Sequence, residues 1–254
     1  MRAPAAFRRF SPPPTADRAP AAAEGVAAEL GAPRLTGLDG AFVGLLALMV
    51  ALHIVAAVLG AGWPTAVATD LAATAYLFAL AARRAWRPLL ARLFLLGLVA
   101  GVLELFTDAA GESFAHSLVY PPGEPMLWAS PLYMPLSWAI VLTQLGYLGW
   151  RLAGLAPRLP LALAVLLTGL AGAAIVPFYE EMAYYAGWWH YAAAPHLGHT
   201  PLYVLLFEGG VATLLPIVTH ALPRLPLARV ALAGVLVGAW MPCAALLAWL
   251  ALGR

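Results

Sequence analysis

Long apolar segments separated by short polar connections form the dominant pattern of this chain. At about 1.5 Å per residue, each segment is long enough as a helix to cross a hydrocarbon core of about 30 Å. The pattern therefore predicts an all-α integral membrane protein, a bundle of about seven transmembrane helices. The predicted spans cover about Leu38–Gly60, Thr65–Ala82, Pro88–His116, Pro131–Leu152, Leu159–Ala183, Thr200–Leu222 and Pro226–Leu252.

The segment that precedes the first span differs in composition. Residues 1–35 are rich in alanine, proline and arginine, and Pro12, Pro13 and Pro14 are consecutive. Such a segment cannot bury a core, so we expect a disordered cytoplasmic tail over residues 1–35 and a membrane domain over residues 36–254. The first long apolar run begins too far along the chain for a secretory signal peptide.

Arginine positions predict the topology. The tail and the second, fourth and sixth connections contain arginines, whereas the first, third and fifth connections contain none. By the positive-inside rule, the N-terminus is cytoplasmic and the C-terminus lies outside, with Arg254 as one exception. We therefore expect a multi-pass protein of a bacterial inner membrane.

Composition agrees with this class. Hydrophobic residues make up 63% of the chain, charged residues 10%, and the mean hydropathy is +0.84, which excludes a soluble domain. A formal charge of +2, carried between the spans, does not indicate nucleic-acid binding. The expected partners are membrane lipids and a hydrophobic lipid or isoprenoid substrate. The single cysteine excludes an internal disulfide, and the sequence does not specify an oligomeric state.

A stripe of ionisable residues ends the third span. Glu104, Asp108, Glu112 and His116 are spaced four apart, so a helix would place them on one face. Carboxylates inside a membrane cost several kcal/mol and are usually functional. The alternative for Glu112 and His116 is the solvated end of a helix that leaves the membrane early.

Further acids fall in the outer half of the predicted bundle. Glu180 and Glu181 end the fifth span, and Glu208 lies inside the sixth. Adjacent helical residues are about 100° apart, so at most one of Glu180 and Glu181 faces a pocket squarely, and the spacing does not decide which. Asp70 either caps the second span or contributes to the same pocket. Spans 3 and 7 also carry GxxxG motifs (Gly97 and Gly101; Gly234 and Gly238), which indicate close helix contacts.

Three kinds of function fit this constellation. A carboxylic acid that keeps its proton in a low-dielectric pocket can protonate a double bond, with aromatic walls shielding the resulting cation. Acids and histidines could also hold a metal, although no HExxH motif or histidine cluster is present, and we predict neither metal nor cofactor. A proton-coupled carrier also uses acidic relays, but its polar residues would reach the cytoplasmic half, and no inverted repeat is apparent.

The stretch EMAYYAGWWHYAAAPHLGHTPLYVLLFEG (Glu181–Gly209) resembles membrane carotenoid-biosynthesis proteins of the C-1′,2′-hydratase type and, more distantly, heterodimer-type lycopene cyclases. The resemblance implies a hydration or cyclisation enzyme in which Glu181, Tyr191 and Glu208 line a polyene site. The third-span stripe has no counterpart in that pattern. The function predicted is carboxylate acid/base chemistry on an isoprenoid or carotenoid-like substrate; the alternative is a proton-coupled carrier or a non-catalytic lipid-binding protein. The predicted acid/base residues are Glu104, Asp108, Glu181 and Glu208, and the predicted substrate-binding residues are Glu112, His116, His190, Tyr191, Trp188 and Asp70.

Overall fold

The computed structural model describes residues 35–155, 158–192 and 194–253. The described residues form seven α-helices in up-and-down succession, which confirms the predicted all-α membrane bundle. The tail predicted for residues 1–35 lies outside this description except for Leu35. The helices are α1 (Gly37–Leu59), α2 (Trp63–Ala81), α3 (Arg87–Ser113), α4 (Met134–Ala153), α5 (Leu161–Ala186), α6 (Leu202–Thr219) and α7 (Leu227–Leu252), with a 3₁₀ turn at Leu222–Arg224.

Local sequence sets where several of these helices begin and end. At the start of α1, Thr36 and Asp39 form a capping box, in which each side chain accepts a hydrogen bond from the other residue's backbone amide. Gly60 and Gly187 end α1 and α5 in the left-handed conformation, where a residue without Cβ avoids strain. Prolines occupy the first turn of α2, α3 and α4 (Pro64, Pro88 and Pro135).

Helix α4 occupies the centre of the bundle. The other six helices are each long and apolar enough to cross a membrane. Helix α4 is less apolar, but it packs against α3, α5 and α6 and buries most of its residues, including Tyr147 and Trp150. A helix that is shielded by its neighbours needs no continuous apolar surface against lipid. The chain is therefore a multi-pass membrane protein whose central helix is covered by the others.

Small residues bring α3 into close contact with two partners. A Cβ added at Gly97 would lie 2.7 Å from the carbonyl oxygen of Ala139, and one at Gly101 would lie 2.6 Å from that of Pro135, both on α4. On the other side, a Cβ at Gly234 of α7 would lie 2.7 Å from the carbonyl oxygen of Leu96. Both GxxxG motifs therefore mark helix contacts, as predicted.

The two ends of the bundle differ in character. At one end, which we call the arginine-rich end, Asp39 accepts hydrogen bonds from Tyr147 (2.7 Å) and from Nε of Arg151 (3.1 Å). Nε of Arg92 also donates to the carbonyl oxygen of Leu225 at 3.0 Å. The opposite end, the loop end, carries two long connections, residues 114–133 and 187–201. These two connections cover the bundle.

The two connections contain the same hairpin. Strands β2 (Met126–Leu127) and β3 (Ser130–Pro131) pair in the first, and strands β5 (His196–Leu197) and β6 (Thr200–Pro201) pair in the second. The amide of the residue after each hairpin, Leu132 or Leu202, donates to the carbonyl oxygen of Pro125 or Pro195. The hairpin sequences are PMLWASPLY and PHLGHTPLY. Helix–hairpin–helix units α3–α4 and α5–α6 are therefore tandem repeats.

A further strand pair joins the repeats. Strand β1 (Leu118–Val119) follows α3 and pairs antiparallel with β4 (His190–Tyr191), which follows α5. The amide of Ala192 extends the pairing by donating to the carbonyl oxygen of Ser117 at 2.8 Å. An antiparallel pair is locally two-fold symmetric, so the two repeats meet at the loop end about a pseudo-two-fold axis.

Candidate functional site

A cavity of about 200 Å³ lies beneath the paired loops. All seven helices contribute side chains to its wall, from Met49 on α1 to Trp249 on α7. Both loops add side chains as well, among them Tyr120 and Tyr191. The pseudo-two-fold arrangement therefore places one continuous site between the repeats.

Five of the described carboxyl side chains line this cavity: Asp70, Glu104, Asp108, Glu180 and Glu208. The most deeply buried is Glu104, whose exposed fraction is 2%. Among the described residues of the wall there is no arginine, and His53 is the one residue with an ionisable basic group. The chain has no lysine. The site thus concentrates acids without matching cations.

The first group of acids lies on α3. Glu104 and Asp108 are one turn apart, and their side chains lie within hydrogen-bonding reach of each other. The hydroxyl of Tyr120, on the following loop, donates to Oδ2 of Asp108 at 2.5 Å. The indole of Trp138 on α4 lies beside Glu104. A carboxyl pair can share a hydrogen bond only when one member carries a proton, so this pair can hold a transferable proton.

The second repeat supplies a matching unit. Glu180 on α5 accepts a hydrogen bond from the indole of Trp189 at 2.7 Å and a longer one from the hydroxyl of Tyr191 at 3.4 Å. Both Asp108 and Glu180 are thus bound by a tyrosine from the loop that follows their own helix. Each repeat contributes one buried carboxyl with a phenol donor.

Helices α1 and α2 complete the wall. Oδ2 of Asp70 accepts a hydrogen bond of 2.5 Å from Ser137 on α4. Nδ1 of His53 donates to the carbonyl oxygen of Met49 at 2.7 Å, because a carbonyl can only accept. The His53 ring packs beside Tyr179 and edge-on to Trp188. His53 is therefore fixed by its surroundings, with Nδ1 protonated.

Several polar atoms of the wall have no hydrogen-bond partner among the described residues. They are Oε2 of Glu104, Oγ1 of Thr107 and the hydroxyl of Tyr179. A buried polar atom without a partner costs about 1–3 kcal/mol, so natural proteins retain such atoms mainly where a ligand or water satisfies them. Glu104, Thr107 and Tyr179 therefore bring unused hydrogen-bonding capacity to the wall.

Burial also sets the behaviour of the loop tyrosines. It raises the pKa of Tyr120 well above its usual value, and the nearby Asp108 raises that pKa further. Burial raises the pKa of Tyr191 in the same way, with Glu180 adding to the effect. Both phenols therefore remain protonated at neutral pH and act as hydrogen-bond donors to the carboxyl groups.

Six of the predicted site residues meet in this cavity: Glu104, Asp108, Glu208, Asp70, Trp188 and Tyr191. Asp70 lines the cavity and accepts a hydrogen bond from Ser137, and it does not cap its helix, whose N-cap is Gly62. Trp188 and Tyr191, which also fit an interfacial aromatic belt, instead form part of the wall. Trp128, Tyr184 and Tyr185 are exposed, as a belt requires.

The predicted four-member stripe is corrected by the structure. Helix α3 ends at Ser113, so His116 is not on the helix and adopts a left-handed conformation with φ of 50°. Glu112 is on the last turn, and both it and His116 are exposed and lie outside the cavity wall. The helix end is exposed to solvent before the stripe is complete. This is the alternative given above for Glu112 and His116, a helix that leaves the membrane early.

The glutamate pair is also corrected. Glu180, and not Glu181, faces the cavity. Glu181 points away and binds the backbone amide and Nδ1 of His199 at 2.6 and 2.7 Å, while that imidazole stacks on Tyr184. His190 in β4 is exposed, since strand residues alternate and its neighbour Tyr191 takes the inward position. Glu181 and His190 are therefore outside the wall.

The site contains residues that were not predicted. They are His53, Tyr120, Tyr133 and Trp138, which all line the cavity, as does Glu180, the open alternative to Glu181. A signal for part of this set was present in the repeated Pro-Leu-Tyr of the two hairpins, which places Tyr133 and Tyr203 at equivalent positions. No group of three or more described histidine, cysteine, aspartate or glutamate side chains is arranged to hold a metal ion.

The fold and the cavity together define a multi-pass membrane protein with a buried acidic site. The family described as "Domain of unknown function (DUF6989)" matches residues 105–252, and the chain belongs to this family. The matched segment contains both hairpins and Asp108, Glu180 and Glu208. Asp70 and Glu104 lie before it. No curated protein and no solved structure matches the chain.

Proposed function

We propose that this protein is a membrane enzyme that uses carboxyl acid/base chemistry on a hydrophobic isoprenoid or carotenoid-like substrate. The observation that carries the proposal is the position of Glu104. Its residue lines the cavity, is 2% exposed and lies against Asp108, and its Oε2 is buried without a hydrogen-bond partner among the described residues. Intramembrane carboxyl groups of this kind are usually functional.

The acid step starts from the Glu104–Asp108 pair. Tyr120 holds Asp108, so that Glu104 is the member free to reach a substrate. Its proton passes to one carbon of a double bond, where the π electrons form the new C–H bond, and the O–H electrons remain on the carboxylate. The neighbouring carbon becomes cationic. Trp138 and Trp188 supply aromatic faces, which attract a cation.

The second step needs a base that also lines the cavity. Glu180 and Glu208, on α5 and α6, can accept a proton either from a carbon next to the cation or from a water that attacks it. If a second double bond of the substrate first attacks the cation, its π electrons form the ring C–C bond and the cation moves to its far carbon, so that loss of a proton there restores a double bond and completes a cyclisation. Attack by water adds a hydroxyl group, as in hydration. Both outcomes return a proton to the site.

The likeness of Glu181–Gly209 to carotenoid hydratases and cyclases supports this reaction class. Within that stretch, Tyr191 and Glu208 line the cavity, whereas Glu181 does not. A proton-coupled carrier would need a polar path to the arginine-rich end. The described carboxylate there, Asp39, is bound by Arg151 and Tyr147, which disfavours that alternative.

Lipid and pigment extracts of cells with and without the gene test the proposal. We expect an isoprenoid species that changes with the gene, is restored by the wild-type chain, and is not restored by Glu104→Gln. Glu112→Gln, an exposed acid on the same helix, is the matched control and should restore it. Unchanged extracts together with altered solute uptake would support a carrier, and a fully active Glu104→Gln would refute the acid role.

A further inference from the structure

Helices α3 and α7 pack closely over one half of their length, and both line the cavity over the other. A Cβ at Gly238 would lie 2.6 Å from Cβ of Leu103, which shows how tightly the helices pack at this level. One turn further towards the loop end, Pro242 lies inside α7 and already lines the cavity. Beyond it, residues of both helices line the cavity.

Near the loop end, some residues of α3 and α7 line the cavity and are also exposed on the outer surface of the protein. Leu246 of α7 lines the cavity and is 51% exposed, and Phe114, just after α3, lines it and is 73% exposed. Ala110, on the last turn of α3, does the same. A residue that faces both the cavity and the exterior lies on the rim of an opening.

This opening lies near the loop end of the bundle. Ala110 is three residues before the end of α3, and Leu246 is six residues before the end of α7. By helical rise these positions are roughly 5 and 9 Å below the helix ends, a depth that corresponds to the outer part of one leaflet. Ala110, Phe114 and Leu246 on the rim are apolar and suit contact with lipid chains, while the exposed Glu112 on the last turn of α3 marks the nearby water boundary.

The charge of the wall restricts what can enter. Whether its carboxyl groups are ionised or protonated, none supplies a positive charge, and no described arginine lines the cavity. A lipid with a phosphate or carboxylate head would lose its contacts in the headgroup region and meet no cation in the cavity. Any ionised acid of the wall would also repel its negative charge. A lipid with an uncharged head needs no cation and is not repelled by an ionised acid.

We propose that the ligand of this site is an uncharged long-chain lipid that enters sideways from the leaflet at the loop end, between α3 and α7, and that anionic lipids, prenyl diphosphates included, are rejected. The inference rests on the proposed function for the reaction that follows entry, but binding itself requires no catalysis. The chain of the ligand would pass between Phe114 and Leu246 with its reactive part in the cavity.

Photo-crosslinking of the full chain in phosphatidylcholine vesicles tests this. The probe is a long-chain isoprenoid alcohol with a diazirine on the chain, and its phosphate monoester is the anionic counterpart. We expect the alcohol to label residues 110–114 and 245–249, and the monoester to label them at least several-fold less. Leu246→Trp should reduce the labelling by narrowing the gap. Leu247→Trp should not, because Leu247 is 58% exposed but does not line the cavity.

Equal labelling by the alcohol and the monoester would refute the charge selection, and equal labelling of the two tryptophan variants would refute the opening between α3 and α7. Glu104→Gln separates this inference from the proposed function. Labelling that persists in a Glu104→Gln protein with full activity leaves the entrance intact and refutes the acid chemistry. Loss of selective labelling in a wild-type protein whose activity depends on Glu104 refutes the entrance and leaves the acid chemistry intact.

Discussion

The hydroxyl of Tyr120 lies 2.5 Å from Oδ2 of Asp108, so the loop after α3 is hydrogen-bonded to an acid that lines the cavity. The second repeat makes the corresponding contact from Tyr191 to Glu180, but at 3.4 Å. The loops after α3 and α5 are therefore each held to the site by a hydrogen bond from a tyrosine to a carboxyl group, and the two bonds differ in length.

Removal of the shorter bond should have the larger effect. Tyr120→Phe leaves Oδ2 of Asp108 without its phenol donor, and a buried acceptor that loses its partner costs about 1–3 kcal/mol. We expect a lower melting temperature in detergent and reduced product formation in the lipid-profile assay. Tyr191→Phe removes a longer bond from a carboxyl that Trp189 still binds, and should do less. Equal effects of the two variants would argue against a special role for the Tyr120–Asp108 contact.

The adjacent glutamates of α5 should differ sharply in function. Glu180→Gln keeps the shape of the side chain but removes its ability to accept a proton, so we expect at least a tenfold loss of product formation. Glu181→Gln affects only the half-exposed contact with His199 and should retain near-normal activity. The assay compares both variants at equal amounts of folded protein. Higher sensitivity at Glu181 would place the reaction outside the cavity.

Contact between α3 and α4 depends on the absence of a side chain at Gly101. In Gly101→Ala the added methyl would meet the carbonyl oxygen of Pro135 and Cβ of Trp138, at 2.6 and 2.9 Å. Backbone cannot move aside cheaply, and such overpacking costs about 1–3 kcal/mol. We expect a lower melting temperature than that of the wild type.

Gly40→Ala is the control for this substitution. It also lies in a helix, but nothing is within 4 Å of its added methyl, so it should be neutral or stabilise slightly through helix propensity. A Gly101→Ala protein as stable as Gly40→Ala would mean that the two helices are further apart than described.

The helical spans could be predicted because hydrophobic length alone determines them. The same pattern could not decide between Glu180 and Glu181, since a helix that is apolar on all sides has no face that identifies the interior. The prediction that His116 lies on the α3 stripe was wrong for a related reason. Spacing by four assumes a continuous helix, and nothing in the spacing shows that the helix ends at Ser113.

Tyr120 was missed because it comes from a loop. Tyr120 reaches Asp108 only after the chain has turned through residues 114–119 and paired with the other repeat through β1 and β4. Such long-range pairing leaves no local periodicity. The two Pro-Leu-Tyr segments were nevertheless visible as a repeat, and a search for internal similarity would have placed Tyr133 and Tyr203 at equivalent positions.

The loop that closes the cavity should make stability depend on pH through Glu124. Its side chain is 8% exposed, and burial raises its pKa from 4.5 to about 7, although the hydrogen bond from Tyr133 at 3.3 Å acts in the opposite direction. The unfolded chain releases this proton near pH 4.5, whereas the folded protein keeps it up to about pH 7. Between these values the folded state binds more protons, so the contribution of Glu124 to stability falls as the pH rises.

Glu124→Gln removes this titration, so the melting temperature of the variant relative to the wild type should increase as the pH is raised from 4.5 to 7 and level off above it. The comparison of the two proteins isolates Glu124 from the other acids, which both share. Tyr133→Phe provides a second test with a defined sign. It removes the bond that favours the ionised form, so the pKa of Glu124 should rise further and the window should extend to higher pH. Melting curves of the wild type and Glu124→Gln that run parallel across this range would show that Glu124 ionises normally in the folded protein.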